Sequence, residues 1–230
     1  MHVFFKYGII KLVIVMIEYL KYITNGLIIL ALVSYILIVV LNRKKKITDS
    51  TGFDITKDIL SDYDHINIIE NKSIFTVYNI KRRVIKLASK CYYGNTISDI
   101  GISLIEAGIS AIDNYKNKFI NFFRSIIPNL KLLYVLPILA IGINMITYNV
   151  SDAKVSIIFI LLFSLIEYLL IEIKSNALMW TDKNIKKIKE INKNNKDRVM
   201  TFINNIILID KVIFIAELLI IIRCVAIILN

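Results

Sequence analysis

Three ionisable residues lie inside the most apolar stretches of the sequence and are the first candidates for chemistry. Glu167 occurs in the stretch 155–171, and Glu217 and Arg223 occur in the stretch 212–229. Ionisable side chains are costly in apolar helices and mark proton, ion or substrate sites by default. A spacing of six does not place Glu217 and Arg223 on one helix face. We expect pairing between helices or snorkelling, with a proton or ion path as the functional alternative.

Side chains that bind transition metals are scarce. The chain has two histidines, His2 and His65, and two cysteines, Cys91 and Cys224. The cysteines are too few and too scattered for a zinc ribbon or a disulfide framework, so we expect reduced, buried thiols. The histidines lie far apart in sequence and do not form a ligand pair. We therefore expect no cofactor.

A tyrosine pair followed by a periodic apolar pattern is the most informative segment of the chain. The run Cys91-Tyr92-Tyr93-Gly94-Asn95 leads into the segment 96–112, where apolar residues recur at spacings of three and four. These positions are Ile97, Ile100, Leu104, Ala107 and Ala111. The pattern predicts a helix, and Thr96 with Asp99 forms an acidic version of a capping box at its start.

This segment resembles the YugP-like bacterial membrane zinc metallopeptidases. In that family a YYGNS run leads into a helix that carries HExGHA, and here the run 92–96 reads YYGNT and the run 104–111 reads LIEAGISA. Three further segments are similar to the family: the hairpin segment 78–87, the pair Thr51-Gly52 that opens the domain, and the segment 172–177 after the third apolar stretch. The resemblance covers nearly the whole chain after Met16.

The resemblance implies a zinc peptidase site, but this sequence departs from it at both ligand positions. Two imidazoles at i and i+4 hold the metal, and the Glu between them is the general base for a zinc-bound water of pKa about 7. Here Ile105 and Ile109 occupy the histidine positions, and Glu106 stands at the general-base position. Isoleucine has no lone pair to give to a metal. The resemblance therefore implies a degenerate member of the family, with Glu172 as a possible third-ligand position.

Each of these residues also has a structural interpretation. Glu106 can be a carboxylate at a helix surface or one paired with a loop lysine. Glu172 can be a helix-end charge at a membrane boundary. The run Tyr92-Tyr93-Gly94-Asn95 can be a binding edge that persists without catalysis, or it can pack a strand end and turn the chain into the helix.

Composition and charge place the chain in a membrane. Hydrophobic residues make up 57% of the sequence, against about 45 to 50% in soluble domains. The formal net charge of +11 sits between apolar runs, as the positive-inside rule expects, so we expect a lipid bilayer and no nucleic acid as partner. The basic stretch 183–198 is either a lipid-headgroup patch or a solvated face. The abundance of Ile, Lys and Asn indicates a bacterial protein, and hence the bacterial cytoplasmic membrane.

The expected fold class is mainly α and integral to the membrane, with about four transmembrane helices and a small cytoplasmic α+β domain of helices and a short β-hairpin. The expected spans are 23–42, 131–148, 155–172 and 206–229. The expected domain is 43–130, and a basic cytoplasmic loop occupies 173–205. Segment 1–22 is expected to be interfacial or an extension before a start at Met16, because Lys6, Lys11 and Glu18 interrupt it.

Within the domain we expect a short helix from Asp54 to Leu60 and two strands, Ser73–Tyr78 and Arg83–Leu87, joined through a turn at Asn79. The leading functional hypothesis is an inactive metallopeptidase relative with a binding or regulatory role, which would partner an active paralogue or another membrane protein. The alternatives are an active membrane metallopeptidase with a non-standard site, and a membrane structural or transport protein.

Overall fold

The computed structural model describes residues 2–44, 46–73, 75–112 and 135–229, with side chains from residue 14 onward. The described helices are α1 (His2–Asn42), α2 (Gly52–Ile59), α3 (Ser89–Tyr93), α4 (Ile97–Ala111), α5 (Leu136–Ile146), α6 (Val150–Asn184) and α7 (Lys193–Leu229). A 3-10 turn, Ile185–Lys187, follows α6. The strands are β1 (Asn67–Asn71), β2 (Val77–Asn79) and β3 (Val84–Ala88).

Three of the described helices are long and apolar enough to cross a membrane. They cover Ile14–Asn42, Val150–Lys187 and Lys193–Leu229, and they indicate a membrane protein. At the predicted span 131–148 the structure has α5, which is 11 residues long and so falls short of the ~20 residues that a spanning helix needs. Residues 131–134 lie outside the described part of the chain.

The long helices extend beyond the predicted spans. α1 runs unbroken through residue 22, and α6 and α7 cover much of the segment 173–205 that we expected to be a loop. The extension of α6 has a physical cause, because Ile173, Ala177 and Thr181 are buried at a spacing of four. This spacing gives the extension one buried face despite its charged residues.

The chain divides into two compact units. The helical unit comprises Met1–Val33, Leu132–Tyr168 and Ile209–Asn230, and the mixed unit comprises Ser34–Lys131 and Leu169–Leu208. The mixed unit contains the sheet together with α2, α3 and α4. Its core is mostly aliphatic, and Ile55, Ile85, Leu87, Ile100 and Leu104 are all fully buried in it.

The small sheet contains the predicted hairpin and one strand that was not predicted. Its order is β1-β3-β2, with β2 antiparallel and β1 parallel to β3. The hairpin turn uses Asn79 as expected, because its Oδ1 accepts a hydrogen bond of 3.1 Å from the N–H of Arg82. The prediction of a strand over Ser73–Tyr78 was wrong in extent. Asn71 donates to the carbonyl of Phe75 at 2.8 Å, so side-chain bonds make a turn where the strand was expected to begin.

Both predicted helices of the domain are present with their caps. The Thr51 hydroxyl accepts from the N–H of Asp54, and the Asp54 carboxylate accepts from the N–H of Thr51, which makes a capping box for α2. At α4 the Thr96 hydroxyl accepts from the N–H of Asp99 at 3.3 Å and donates to the Asp99 carboxylate at 2.6 Å. The helix predicted over 96–112 is confirmed as Ile97–Ala111.

Candidate functional site

Glu106 joins helix α4 to the edge of the sheet. Its side chain is half-buried, and its Oε2 accepts a hydrogen bond of 2.8 Å from the backbone N–H of Tyr78. Tyr78 lies in the middle of β2, and β2 is an edge strand whose partner is β3. A charged acceptor on a backbone N–H is among the stronger hydrogen bonds of proteins. The carboxylate therefore accepts a hydrogen bond from the Tyr78 N–H, which has no partner strand on the open edge of the described sheet.

The residues on either side of Glu106 at the predicted ligand positions belong to the hydrophobic packing of the mixed unit. Ile105 is 7% exposed and part of the buried core, and Ile109 packs against that core. Both side chains make dispersion contacts and neither can coordinate a metal. Within the described residues no three His, Cys, Asp or Glu side chains are grouped so that they could hold a metal ion.

The aromatic rings of the predicted binding run pack on one another and on α2. Tyr92 stacks on Phe53 with ring centroids 4.8 Å apart, and Tyr93 meets Tyr92 edge to face at 4.9 Å. The exposed Tyr93 donates its hydroxyl to Glu70 Oε2 at 3.0 Å, and Ser89 donates to Glu70 Oε1 at 2.7 Å. These two hydrogen bonds lower the pKa of Glu70, and the Glu70 carboxylate raises the pKa of Tyr93.

Gly94 and Asn95 of the same run form backbone hydrogen bonds with the segment that enters the domain. The carbonyl of Gly94 accepts from the N–H of Gly52 at 2.7 Å, and the carbonyl of Asn95 accepts from the N–H of Ile47 at 3.1 Å. A Cβ on Gly94 would overlap the carbonyl oxygen of Lys90, and one on Gly52 would lie 2.8 Å from the Ser103 hydroxyl. These close approaches explain why both positions are glycine.

Helix α4 also packs closely against α6. A Cβ on Gly108 would lie 2.7 Å from the carbonyl oxygen of Ala177, and the Thr181 hydroxyl donates to the carbonyl of Leu104 at 3.3 Å. Glu172, the predicted third-ligand position, is half-buried on α6. It precedes Ala177 by five residues, or about 7.5 Å along the helix.

The two cysteines and His65 occupy unlike environments. Cys91 is 3% exposed and Cys224 is fully buried, and both are free thiols as expected. Burial is the main cause that raises the pKa of Cys91 to about 11. His65 is exposed beside the ring of Tyr63, with a centroid distance of 6.2 Å.

In the helical unit, Arg223 is held by oxygen acceptors from other helices and their ends. The guanidinium is 3% exposed. It donates to Asn144 Oδ1 at 2.9 Å, to the carbonyl of Thr147 at 2.8 Å and to the carbonyl of Ile17 at 3.2 Å. Asn144 in turn donates to Thr24 Oγ1 at 2.8 Å. The buried cation is thus solvated by an interhelical polar network.

The sequence analysis did not single out two members of this polar region, Asn144 and Lys21. Lys21 is 3% exposed, donates to the Tyr148 hydroxyl at 3.1 Å and lies 4.3 Å from that ring's centroid. A signal was available for Asn144, which is an amide within the apolar stretch 132–148. Lys21 gives no such signal, because it lies just before the first predicted span, where a lysine is ordinary.

No protein-family model matches the chain, and the comparisons with curated proteins and with solved structures gave no match either.

Proposed function

We propose that this chain is a catalytically inactive, membrane-embedded relative of the YugP-like metallopeptidases with a binding or regulatory role. The observation that carries the proposal is the bond between Glu106 and the backbone N–H of Tyr78, 2.8 Å long. At the general-base position stands a carboxylate that fastens a helix to a strand. On either side of it Ile105 and Ile109 contribute to the apolar packing.

The chemistry of the helix turn supports the loss of catalysis. A Glu general base activates a water that zinc has already acidified, so it needs the metal to act at neutral pH. Zinc in turn needs nitrogen, sulfur or carboxylate ligands, and a helix supplies a pair of them from i and i+4. Ile105 and Ile109 fill these two positions with aliphatic groups. Without a metal-bound water to deprotonate, Glu106 acts as a hydrogen-bond acceptor and not as a general base.

Contacts between segments that are distant in sequence support the resemblance to the family. The hairpin segment meets the Glu106 helix through Tyr78. The opening pair meets the tyrosine run through Gly52 and Gly94. The segment after the third apolar stretch meets the same helix where Ala177 packs on Gly108. Each of these segments thus contacts the run 92–111 within the mixed unit.

The distribution of charge supports a cytoplasmic location for the mixed unit in a bacterial cytoplasmic membrane. Its basic residues flank the ends of the apolar helices, in the cluster 43–46 and in the stretch 183–198. Basic residues next to spans remain on the cytoplasmic side. Both clusters lie on that side if the chain crosses the bilayer twice between them, once through α6 and once through the segment 131–148, in which α5 covers only 11 residues. An active paralogue or another membrane protein is the partner class that such a location and an inactive site suit.

Zinc analysis of the purified full chain in detergent tests the proposal. We expect far less than one zinc per chain in the wild type and the same content in Glu106→Gln. We also expect Ile105→His combined with Ile109→His to gain zinc, because the pair restores two imidazoles on one helix face. One equivalent of tightly held zinc in the wild type would contradict the proposal. Hydrolysis of a peptide library that disappears in Glu106→Gln would do so as well.

A further inference from the structure

Two buried cations lie at one end of the helical unit, where α5 ends and α6 begins. Lys21 on α1 and Arg223 on α7 are both almost fully buried. Each belongs to a helix that is long and apolar enough to span a membrane, and a buried charge in such a helix marks a functional site by default. Two positive charges in an apolar environment are stable only beside negative charge or well-oriented dipoles.

Short hydrogen bonds connect the two cations through Asn144 and the residues that follow α5. Arg223 Nη1 donates to Asn144 Oδ1 at 2.9 Å, and Asn144 Nδ2 donates to the carbonyl of Lys21 at 3.3 Å. The carbonyl of Thr147 accepts from Arg223 Nη2 at 2.8 Å. The hydroxyl of the adjacent Tyr148 accepts from Lys21 Nζ at 3.1 Å. Both charges therefore belong to one polar network within a single compact unit.

Helix α5 supplies most of the acceptors for Arg223. The guanidinium donates to the carbonyls of Asn144 and Thr147, at the C-terminal end of α5, where a helix carries about half a negative charge. It also donates to Asn144 Oδ1 and to the carbonyl of Ile17, and a guanidinium has five N–H donors. Arg223 is therefore well supplied with hydrogen bonds, although its charge is only partly balanced.

Lys21 has fewer acceptors than its ammonium group can use. An ammonium has three N–H donors, and the described residues give it one hydrogen-bond acceptor, the neutral hydroxyl of Tyr148. The Tyr148 ring adds a cation–π contact, with Nζ 4.3 Å from the ring centroid. Buried donors are nearly always partnered. The other donors of Lys21 therefore point to an acceptor from outside the chain.

Within the described part of the chain, neither cation forms an ion pair with a carboxylate. Glu18 follows Ile17, whose carbonyl accepts from Arg223, but the Glu18 side chain is exposed. Asp152 accepts from the backbone N–H of Tyr148 at 3.5 Å. The acidic side chains closest to the network in sequence thus do not bind the two cations.

The two glutamates that the sequence predicted as sites are also buried, at other levels of their helices. Glu217 precedes Arg223 by six residues, or about 9 Å along α7. Glu167 lies about 25 Å along α6 from the start of that helix. The charge of the cations at the α5–α6 turn is therefore left to an anion from outside the chain.

Exposed tyrosines around Lys21 indicate its depth in the membrane. Tyr19 and Tyr22 flank it on α1 and are exposed, and Tyr148, which contacts it, is 68% exposed. Tyrosines on the surface of spanning helices collect at the headgroup level of a bilayer. The available donors of Lys21 thus lie near the depth of the lipid phosphates.

We propose that Lys21 binds the phosphate group of an anionic phospholipid, with Arg223 as the second positive charge of the site. A lysine binds phosphate as a point charge, and basic sites between transmembrane helices recognise anionic headgroups. A headgroup with a net negative charge supplies what the two cations lack, whereas a zwitterionic headgroup brings its own cation. This site is separate from the Glu106 region and does not depend on the function proposed above.

Lipid-dependent stability of the full chain in a maltoside detergent tests the site. The thermal midpoint is measured while phosphatidylglycerol, phosphatidylcholine or inorganic phosphate is added at constant ionic strength. A ligand that binds only the folded state raises the midpoint in a saturable way. We expect phosphatidylglycerol to do so at a lower concentration than phosphatidylcholine or inorganic phosphate. A stronger response to inorganic phosphate would overturn the lipid assignment and identify free phosphate as the ligand.

Matched variants assign the response to Lys21. Lys21→Met should raise the half-saturating concentration of phosphatidylglycerol by at least about tenfold, as expected for the loss of a charge-assisted hydrogen bond. Without lipid this variant should be at least as stable as the wild type, because it removes a buried charge. Lys21→Arg keeps the charge and should retain the response. Lys154→Met is the control, because Lys154 is exposed near the start of α6 and contributes only general attraction to anionic lipid.

Three results would overturn the proposal. The first is the absence of a saturable rise of the wild-type midpoint with phosphatidylglycerol. The second is a Lys21→Met variant with the wild-type half-saturating concentration and a midpoint lowered equally with and without lipid, as a purely structural role would give. The third is a Lys154→Met variant that responds as weakly as Lys21→Met, since the attraction is then non-specific. If Lys21→Met does not fold, a folded Lys21→Arg that has lost the response contradicts the proposal instead.

Discussion

Glu106 Oε2 and the backbone nitrogen of Tyr78 lie 2.8 Å apart, although the two residues are separated by 28 positions in the chain. This hydrogen bond joins α4 directly to the strand edge of the mixed unit. The same carboxylate would have to remain available to water if it were a general base. Stability and activity measurements on Glu106 variants therefore separate the structural role from the catalytic one.

We expect Glu106→Ala to lower the free energy of unfolding by about 1 to 3 kcal/mol, because it leaves the N–H of Tyr78 without its acceptor. Glu106→Gln should cost less, since its amide oxygen can still accept the hydrogen bond. Chemical unfolding in detergent micelles, followed by the fluorescence of Trp180, measures both, because Trp180 is the single tryptophan and contacts Tyr63 in the mixed unit. Equal stability of the wild type and both variants would show that the bond does not hold α4 to β2.

We expect Gly94→Ala to destabilise the protein by about 1 to 3 kcal/mol through overpacking. The added Cβ would meet the carbonyl of Lys90 and the carboxyl of Asp99. Gly142→Ala is the control, because nothing lies within 4 Å of its Cβ and alanine gains up to about 1 kcal/mol over glycine within a helix. Thermal midpoints of the two variants give the comparison. A neutral Gly94→Ala would favour a binding role for the tyrosine run over the packing role seen here.

The thiol of Cys91 should be unreactive in the folded protein. Burial raises its pKa to about 11 from an ordinary 9.0, so only about one thiol in a thousand is ionised at pH 8. In a Cys224→Ser background, iodoacetamide should modify Cys91 slowly at pH 8 and rapidly after unfolding. Rapid modification of the folded chain would place Cys91 at an accessible surface.

The same shift predicts how stability depends on pH. The folded thiol keeps its proton up to about pH 11, whereas the unfolded thiol loses it near pH 9.0. The contribution of Cys91 to stability is therefore complete below pH 9 and is lost as the pH rises from 9 to about 11. The stability of Cys91→Ala should therefore fall less than that of the wild type between pH 9 and about 11. Unfolding curves of both proteins between pH 8 and pH 11 provide the measurement.

Short sequence patterns predicted the elements that are determined by residues close together in the chain. The spacing of Ile97, Ile100 and Leu104 gives α4, and its cap follows from Thr96 and Asp99. The hairpin was found through Asn79, whose side chain closes the turn. Strand β1 was missed, because its residues Asn67–Asn71 show no alternation of buried and exposed positions, and its pairing partner is distant in sequence. A parallel partner is a tertiary property that the segment itself does not encode.

The candidate sites were predicted in part for the same reason. The sequence identified Glu167, Glu217 and Arg223 as ionisable residues in apolar stretches. It could not show that Arg223 is held by Asn144, because residues on different helices are brought together only by packing. Likewise, the isoleucines beside Glu106 were evident from the sequence, whereas the acceptor role of Glu106 required the position of Tyr78.

The orientation that we propose from charge asymmetry can be measured directly. Lys189 is exposed in the basic stretch after α6, and Lys154 is exposed near the start of α6. The positive-inside rule predicts that Lys189 is cytoplasmic and that Lys154 lies outside. The native cysteines are buried, so a single introduced cysteine can be labelled with little background. In intact cells we expect a membrane-impermeant maleimide to label Lys154→Cys and to leave Lys189→Cys unlabelled.

In inverted membrane vesicles the reagent meets the cytoplasmic face. We therefore expect it to label Lys189→Cys and to leave Lys154→Cys unlabelled. Labelling of both positions from the same side would mean that α6 does not cross the bilayer, even though Val150–Lys187 is long and apolar enough to do so. The reverse pattern would place the basic stretch outside. That result would leave the fold intact but remove the argument for a cytoplasmic partner, since we propose the side of the mixed unit from the charge distribution.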